Sequence, residues 1–177
     1  MTNQTPDWPA DIHAVLRAEG VTEMCVVPDA GHSRLINLCE DDNAMSVVTC
    51  TTEEEGIYML SGTWLGGAKG AMLLQSSGVG NTINALALPA TCRMPMLMIV
   101  TMRGEWGEFN SWQVPMGQGT PAALEAIGVR VLRVTDADAI ADTVKAGARL
   151  AFDSLERVAI LISQSVLGFK DFRELAK

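Results

Sequence analysis

Four stretches of the chain hold residue types that can do chemistry. Cys50-Thr-Thr-Glu-Glu-Glu-Gly56 sets three carboxylates at the head of an apolar helical run. Thr52, with Glu55 three residues on, makes a capping box. Acidic side chains also suit a helix N-terminus, which accounts for Glu54 and Glu55. Glu53 differs from them, because it shares a face with Gly56, Ile57, Leu60 and Trp64. A carboxyl leading such a stripe is partly withdrawn from water, and it reads either as a structural group or as a proton-exchanging one.

Gln75-Ser-Ser-Gly-Val-Gly-Asn81 is a glycine-rich strand-to-helix turn. Free N–H groups at a helix start can hold an anion. The segment lacks the Gly-Lys-Ser/Thr of a phosphate loop and is not Gly-x-Gly-x-x-Gly, so a tight structural turn fits as well as a ligand loop. Residues 103–119 carry Trp106, Phe109, Trp112 and Met116 and read as a long loop that covers a site or faces a partner chain. Arg103 at its head is either a solvated cation or a fork for an oxyanion. The fourth stretch is the loop Pro28-Asp-Ala-Gly-His32, in which His32 is either a local hydrogen-bonding group or a second polar contact.

These stretches need elements to position them. Asp7 and Pro9 start a helix that Gly20 ends. Strands are expected at Met24–Val27, Ser46–Cys50, Ala71–Leu74, Met96–Thr101, Val129–Val134 and Val158–Ile162. Helices are expected at Ser33–Cys39, Thr52–Leu65, from the glycine turn to about Leu88, at Pro121–Ile127 and at Asp136–Phe152. Six buried apolar runs separated by helices give an α/β fold: a six-stranded parallel sheet with helices on both faces. Ligands of such folds sit at the carboxyl ends of the strands, which is where all four stretches fall.

The chain has 177 residues and a formal charge of −8. It suits one domain, 1–177. An acidic chain with few aromatics is a poor partner for nucleic acid. The apolar window Met94–Met102 is too short to span a membrane. Met1–Pro9 is polar with no apolar core of a leader, and Cys25, Cys39, Cys50 and Cys92 lie far apart, so the expectation is a cytoplasmic protein without disulfides or a zinc ribbon. With only His13 and His32, a histidine-based metal site is not expected. Ten methionines and 16 glycines accompany few charges. A face buried against another chain and a methionine-rich core both explain that.

The order of these motifs resembles the pyrimidine-binding (PYR) domain of thiamine diphosphate-dependent decarboxylases. The residues that carry the resemblance are Glu53 to Gly62, with the family's spacing from glutamate to helix glycine; Leu74-Gln-Ser-Ser-Gly-Val-Gly-Asn81; Arg103-Gly-Glu105; and Pro115-Met-Gly-Gln-Gly-Thr-Pro121. Sulfopyruvate decarboxylase alpha subunits and the N-terminal part of phosphonopyruvate decarboxylases look most similar.

The resemblance implies a PYR-type thiamine diphosphate-binding fold and decarboxylation of a small anionic 2-oxo acid, 3-sulfopyruvate to sulfoacetaldehyde and CO2. It implies Glu53 as the catalytic carboxyl on the cofactor's aminopyrimidine ring, with Gln75, Ser77, Gly78 and Asn81 lining the cofactor pocket. Arg103 and then His32 are the substrate contacts it suggests. The family's Gly-Asp-Gly…Asn motif for diphosphate and Mg²⁺ is absent from the sequence. A separate beta subunit carrying the diphosphate-binding domain is therefore implied, in a hetero-oligomer of at least alpha2beta2. Two departures stand out: Asp29 occupies a loop expected to meet an anionic substrate, and Met102 precedes Arg103 where a polar residue is common. Phosphonopyruvate or another 2-oxo acid as substrate, and a non-catalytic flavodoxin-like subunit, remain open alternatives at this stage.

Overall fold

Side chains alternate across each strand, so strands that are apolar along their whole length require cover on both faces. In the computed structural model, which describes residues 6–168, that is the arrangement found. The strands are β1 (Val21–Val26), β2 (Ser46–Thr49), β3 (Lys69–Gln75), β4 (Met96–Thr101), β5 (Arg130–Val134) and β6 (Arg157–Ile162). They form one sheet in the order β2-β1-β3-β4-β6-β5, with every neighbouring pair parallel. The helices are α1 (Trp8–Ala18), α2 (Ser33–Glu40), α3 (Glu53–Leu65), α4 (Val79–Thr82), α5 (Ala87–Cys92), α6 (Val114–Ala126), α7 (Ile140–Ser154) and α8 (Gln164–Leu167). The stretch Met1–Thr5 of the polar N-terminus lies outside the described residues.

Odd and even positions of the strands feed two cores. Met24, Val26, Leu73, Leu97, Ile99 and Ile160 pack under α1, α2 and α7. Cys25, Met72, Leu74, Met96, Met98, Val100 and Leu161 pack under α3 to α6. Met24, Met72, Met94, Met96, Met98 and Met102 are buried, so these methionines serve the core. Cys25, Cys39 and Cys50 are buried free thiols, and loss of hydration pushes Cys25 up to about 12 and Cys39 up to about 11. Among the described residues no helix is long and apolar enough to cross a membrane.

The expected elements are present, with two corrections. The helix after the glycine turn is broken: a 3₁₀ turn at Ser76–Gly78 leads into the short α4, and α5 follows separately to Cys92. The expected long loop 103–119 is also shorter, because a 3₁₀ turn at Ser111–Gln113 leads into α6 from Val114. Gly117, Gly119 and Pro121 discourage a helix locally. Tertiary contact overrides them, since a β-carbon on Gly117 would overlap the Arg103 carbonyl oxygen, and one on Gly104 (φ +77°) would overlap that of Gln113. The start of α6 therefore packs directly on the backbone that leaves β4.

One topological detail positions the site. From β1 the chain turns outward to the edge strand β2, while from β3 it proceeds to β4 on the other side. The carboxyl ends of β1 and β3 thus flank a crevice where connections diverge, which is where open parallel sheets hold ligands.

Candidate active site

Glu53 opens α3 directly after β2. Thr52 caps the helix by accepting from the Glu55 N–H, and Glu55 turns back to accept from the N–H and hydroxyl of Thr51. Those bonds hold the Glu55 carboxyl below the usual carboxylate range. Glu54 accepts from the Tyr58 hydroxyl at the surface. Two of the three glutamates therefore finish the helix end, as the capping reading holds.

Glu53 is 8% exposed and faces inward toward the glycine turn. Asn81 donates from Nδ2 to its Oε2 at 2.8 Å. Its Oε1 lies against Gly78, where any β-carbon would overlap it. Glycine at 78 is thus a condition for seating the carboxyl, and it explains the Gly-x-Gly turn without any phosphate. One residue before Gly78, at Ser77, a groove opens that is lined also by Ser111, Trp112, Pro115 and Met116, with Trp112 82% exposed. A buried carboxyl with one oxygen held by an amide can exchange a proton with a planar nitrogen heterocycle that reaches its other oxygen.

The turn itself is latched to the neighbouring loop. Ser76 is buried; its hydroxyl accepts from the Arg103 N–H at 3.0 Å, and its carbonyl accepts from the Thr120 hydroxyl at 3.3 Å. Gln75 donates from Nε2 to Asp29 at 2.6 Å and accepts from the Ser77 hydroxyl at 2.8 Å.

The structure therefore brings Glu53, Gly78 and Asn81 into contact, with Ser77 and Gln75 adjoining. It does not bring Arg103 or His32 to them. Arg103 makes a two-pronged pair with Glu108, both bonds at 2.7 Å, with the side chains 15% and 3% exposed. The guanidinium pulls Glu108 down to about 2. Arg103 stacks over Phe109 and lines a different cavity, with Trp8, Gly31 and Gln164. His32 is completely buried, and its Nε2 lies 3.1 Å from the Ile99 carbonyl while Nδ1 has no partner. Burial pushes its imidazole below the ordinary value, outweighing the Asp29 charge and the carbonyls of Ile99 and Leu74. In this geometry it reaches no surface.

Sequence reasoning missed two participants and saw a third, Asp29, only as a departure from the family's loop. Asp29 stands at the mouth of the crevice, where it accepts from Gly31, Gln75 and Thr101. Glu108, five residues after Arg103, claims that cation. Gln164, the first residue of α8, binds the Glu105 and Trp106 N–H groups through its oxygen and donates to Glu108. Only the Arg103–Glu108 spacing could have signalled its pair. Among the described residues no group of three His, Cys, Asp or Glu side chains could hold a metal ion.

Comparison with known proteins gives a consistent outcome. The family described as thiamine pyrophosphate enzyme, N-terminal TPP binding domain, matches residues 10–128. Sulfopyruvate decarboxylase subunit alpha of Methanococcus maripaludis is 34% identical over 152 residues, which are 85% of this chain and 91% of that protein. The same subunit of Methanocaldococcus jannaschii is 38% identical over 108 residues, covering 60% and 64%. Phosphonopyruvate decarboxylase of Streptomyces viridochromogenes is 40% identical over 100 residues, covering 56% of this chain but 25% of that protein. Among solved structures, 2-oxoglutarate:ferredoxin oxidoreductase from Magnetococcus marinus superposes with a TM-score of 0.69 at 13% identity, over 90% of this chain and 29% of that one. That likeness concerns the fold.

Proposed function

The chain belongs to the thiamine pyrophosphate enzymes through their N-terminal TPP binding domain, and we propose that it is the alpha subunit of a decarboxylase that converts 3-sulfopyruvate to sulfoacetaldehyde and CO2. The observation that carries this reading is the enclosed Glu53 carboxyl, clasped by Asn81 and seated on Gly78 beside an open groove. Support for the substrate comes from the Methanococcus maripaludis subunit, most of whose length the chain matches.

The residues present fit the pyrimidine end of thiamine diphosphate. Gly78 leaves room for the Glu53 carboxyl, and the groove from Ser77 to Met116 opens next to that turn. When bound, the cofactor supplies an electron-accepting thiazolium ring that takes up the bonding pair released as CO2 departs. Glu53 holds or releases the proton at Oε1, because Asn81 already occupies Oε2. Ser77, held by Gln75, orients the ring edge. Trp112 and Met116 cover the groove and keep water from it once a partner chain closes the site. The described residues offer no acidic cluster for Mg²⁺, and the sequence holds no Gly-Asp-Gly. Support for a division of labour comes from the relatives, which are named alpha subunits: a beta subunit anchors the metal and the diphosphate, and paired heterodimers, at least alpha2beta2, complete the sites.

Arg103 reaches the anionic end of the substrate only by exchanging Glu108 for it. His32 acts through the fold beneath Asp29 and makes no contact. The test is isothermal titration of thiamine diphosphate with Mg²⁺ into this chain, into its beta partner and into the complex, followed by product analysis with 3-sulfopyruvate, phosphonopyruvate and pyruvate. Tight uptake by the complex alone, with sulfoacetaldehyde as the main product, is the expected result. Tight uptake by the isolated chain overturns the division of labour, and preference for phosphonopyruvate overturns the substrate.

A further inference from the structure

Three donors converge on Asp29 at the mouth of the crevice. Its Oδ2 accepts from the Gly31 N–H at 3.0 Å and from the Thr101 hydroxyl at 2.6 Å, and its Oδ1 accepts from Gln75 Nε2 at 2.6 Å. The bond to Gln75 crosses from the end of β1 to the end of β3, and the bond to Thr101 reaches the end of β4. A carboxylate offers acceptors only. Gln75 must therefore turn its amino group toward Asp29, and its carbonyl oxygen toward Ser77. The Ser77 hydroxyl has a single proton, and it is spent on that oxygen at 2.8 Å. What Ser77 has left for the groove is lone pairs.

We propose that Asp29 is a positioning residue whose charge, relayed through the Gln75 amide, fixes Ser77 as a hydrogen-bond acceptor, so that this point of the groove selects a ligand N–H. The inference rests on the reading that the groove takes the aminopyrimidine ring of the cofactor, whose ring edge carries such a donor. It also gives the acid in this loop a role: both Asp29 oxygens are engaged by three protein donors, although the residue also lines the cavity that holds Arg103.

The polarity can be inverted with every internal bond retained. In Asp29→Asn the new oxygen still accepts from Gly31 and Thr101, while the new amide donates toward Gln75. Gln75 then turns over, its Nε2 donates to Ser77, and the Ser77 proton points into the groove. Gln75→Glu instead sets two carboxylates face to face. The double variant Asp29→Asn with Gln75→Glu restores the original direction, since the carboxylate introduced at position 75 can accept both from the amide introduced at position 29 and from the Ser77 hydroxyl.

The experiment is thermal melting of the full chain with its beta partner, together with thiamine diphosphate titration of each complex. Expected for D29N is a melting temperature within about 2 °C of wild type but cofactor affinity lower by about ten- to hundredfold, the consequence of a donor facing a donor. Expected for Q75E is a lowered melting temperature, and for the double variant recovery of melting and of affinity to within about threefold. A D29N complex that binds like wild type overturns the role of Asp29 and leaves the reading of the site intact. A D29N complex that melts as early as Q75E, or a double variant that binds no better than D29N, overturns it too. A wild-type complex that takes up no thiamine diphosphate overturns both.

Discussion

Two networks sit side by side at the carboxyl ends of the strands, and they are finished to different degrees. The one after β4 is closed. Arg103 is paired with Glu108, Glu108 also accepts from the Gly104 and Asn110 N–H groups and from Gln164, and Glu105 accepts from Ser163, from the Gln164 N–H and from Arg133. Each partner is another residue of the same chain. The network around Glu53 is open, because Oε1 faces Gly78 without a donor, Ser77 keeps free lone pairs, and Trp112 stands out beside them. A polar group that has all its partners holds structure; one left incomplete next to a groove is prepared for something that arrives. The charged residue that looked most like a ligand contact in the sequence belongs to the closed side, and a half-hidden glutamate belongs to the open one.

Substitutions on the two sides should separate activity from stability. Glu53→Gln keeps the shape and the bond from Asn81 but has no proton to exchange. Turnover of the reconstituted enzyme should fall by at least about a hundredfold with melting unchanged, and near-normal turnover would remove Glu53 from catalysis. On the closed side, Arg103→Met strands a carboxylate that is almost wholly enclosed. Denaturant titration should show a loss of about 3 kcal/mol, the low end for breaking a buried pair, since backbone donors remain to Glu108. Its kinetic effect should be equal for sulfopyruvate and pyruvate. A KM increase confined to sulfopyruvate would show that Glu108 yields to substrate and would move Arg103 to the open side.

His32 lies beneath both networks and ties stability to pH. Its folded pKa is pushed below the ordinary value of about 6.5 by burial. Between the two values the unfolded chain binds a proton that the folded chain refuses, so stability falls as pH drops below about 6.5, by up to about 1.4 kcal/mol per pH unit. Urea melts at pH 7.5 and 5.5 should show this slope in the wild type and a flatter response in His32→Gln. Equal slopes would mean that the imidazole accepts its proton in place. Trp112→Ala is the mildest change. Stability should shift by less than about 0.5 kcal/mol, while affinity for the beta subunit, measured by sedimentation or titration, should weaken by about tenfold. A destabilised chain with unchanged association would place Trp112 among the closed contacts.

Much of this was legible in the sequence. Strand positions followed from apolar runs such as Met96–Thr101, and the separate standing of Glu53 followed from its apolar stripe. The helix from Val114 was not legible, because Gly117 and Pro121 argue against it locally, and its real support is contact with the Arg103-Gly104 backbone. The surroundings of His32 and Arg103 were not legible for a related reason. Position at the ligand edge says where a backbone ends, but side-chain direction depends on partners far away in sequence, such as Ile99 for His32. Asp29 could not be understood before its donors Gln75 and Thr101 were seen to come from other strands.

The all-parallel sheet has a kinetic consequence. No neighbouring strands here can meet as a hairpin, so each pairing waits for a crossover to close. Folding of such a topology lags behind that of locally wired domains. In the interval, the uninterrupted apolar segments of β3, β4 and β6 are available to other chains. The Asp29 junction needs the ends of three strands at once, so it is among the last parts to assemble. Chains made together with the proposed beta subunit, whose docking would capture the finished edge, should yield more active protein than chains refolded alone.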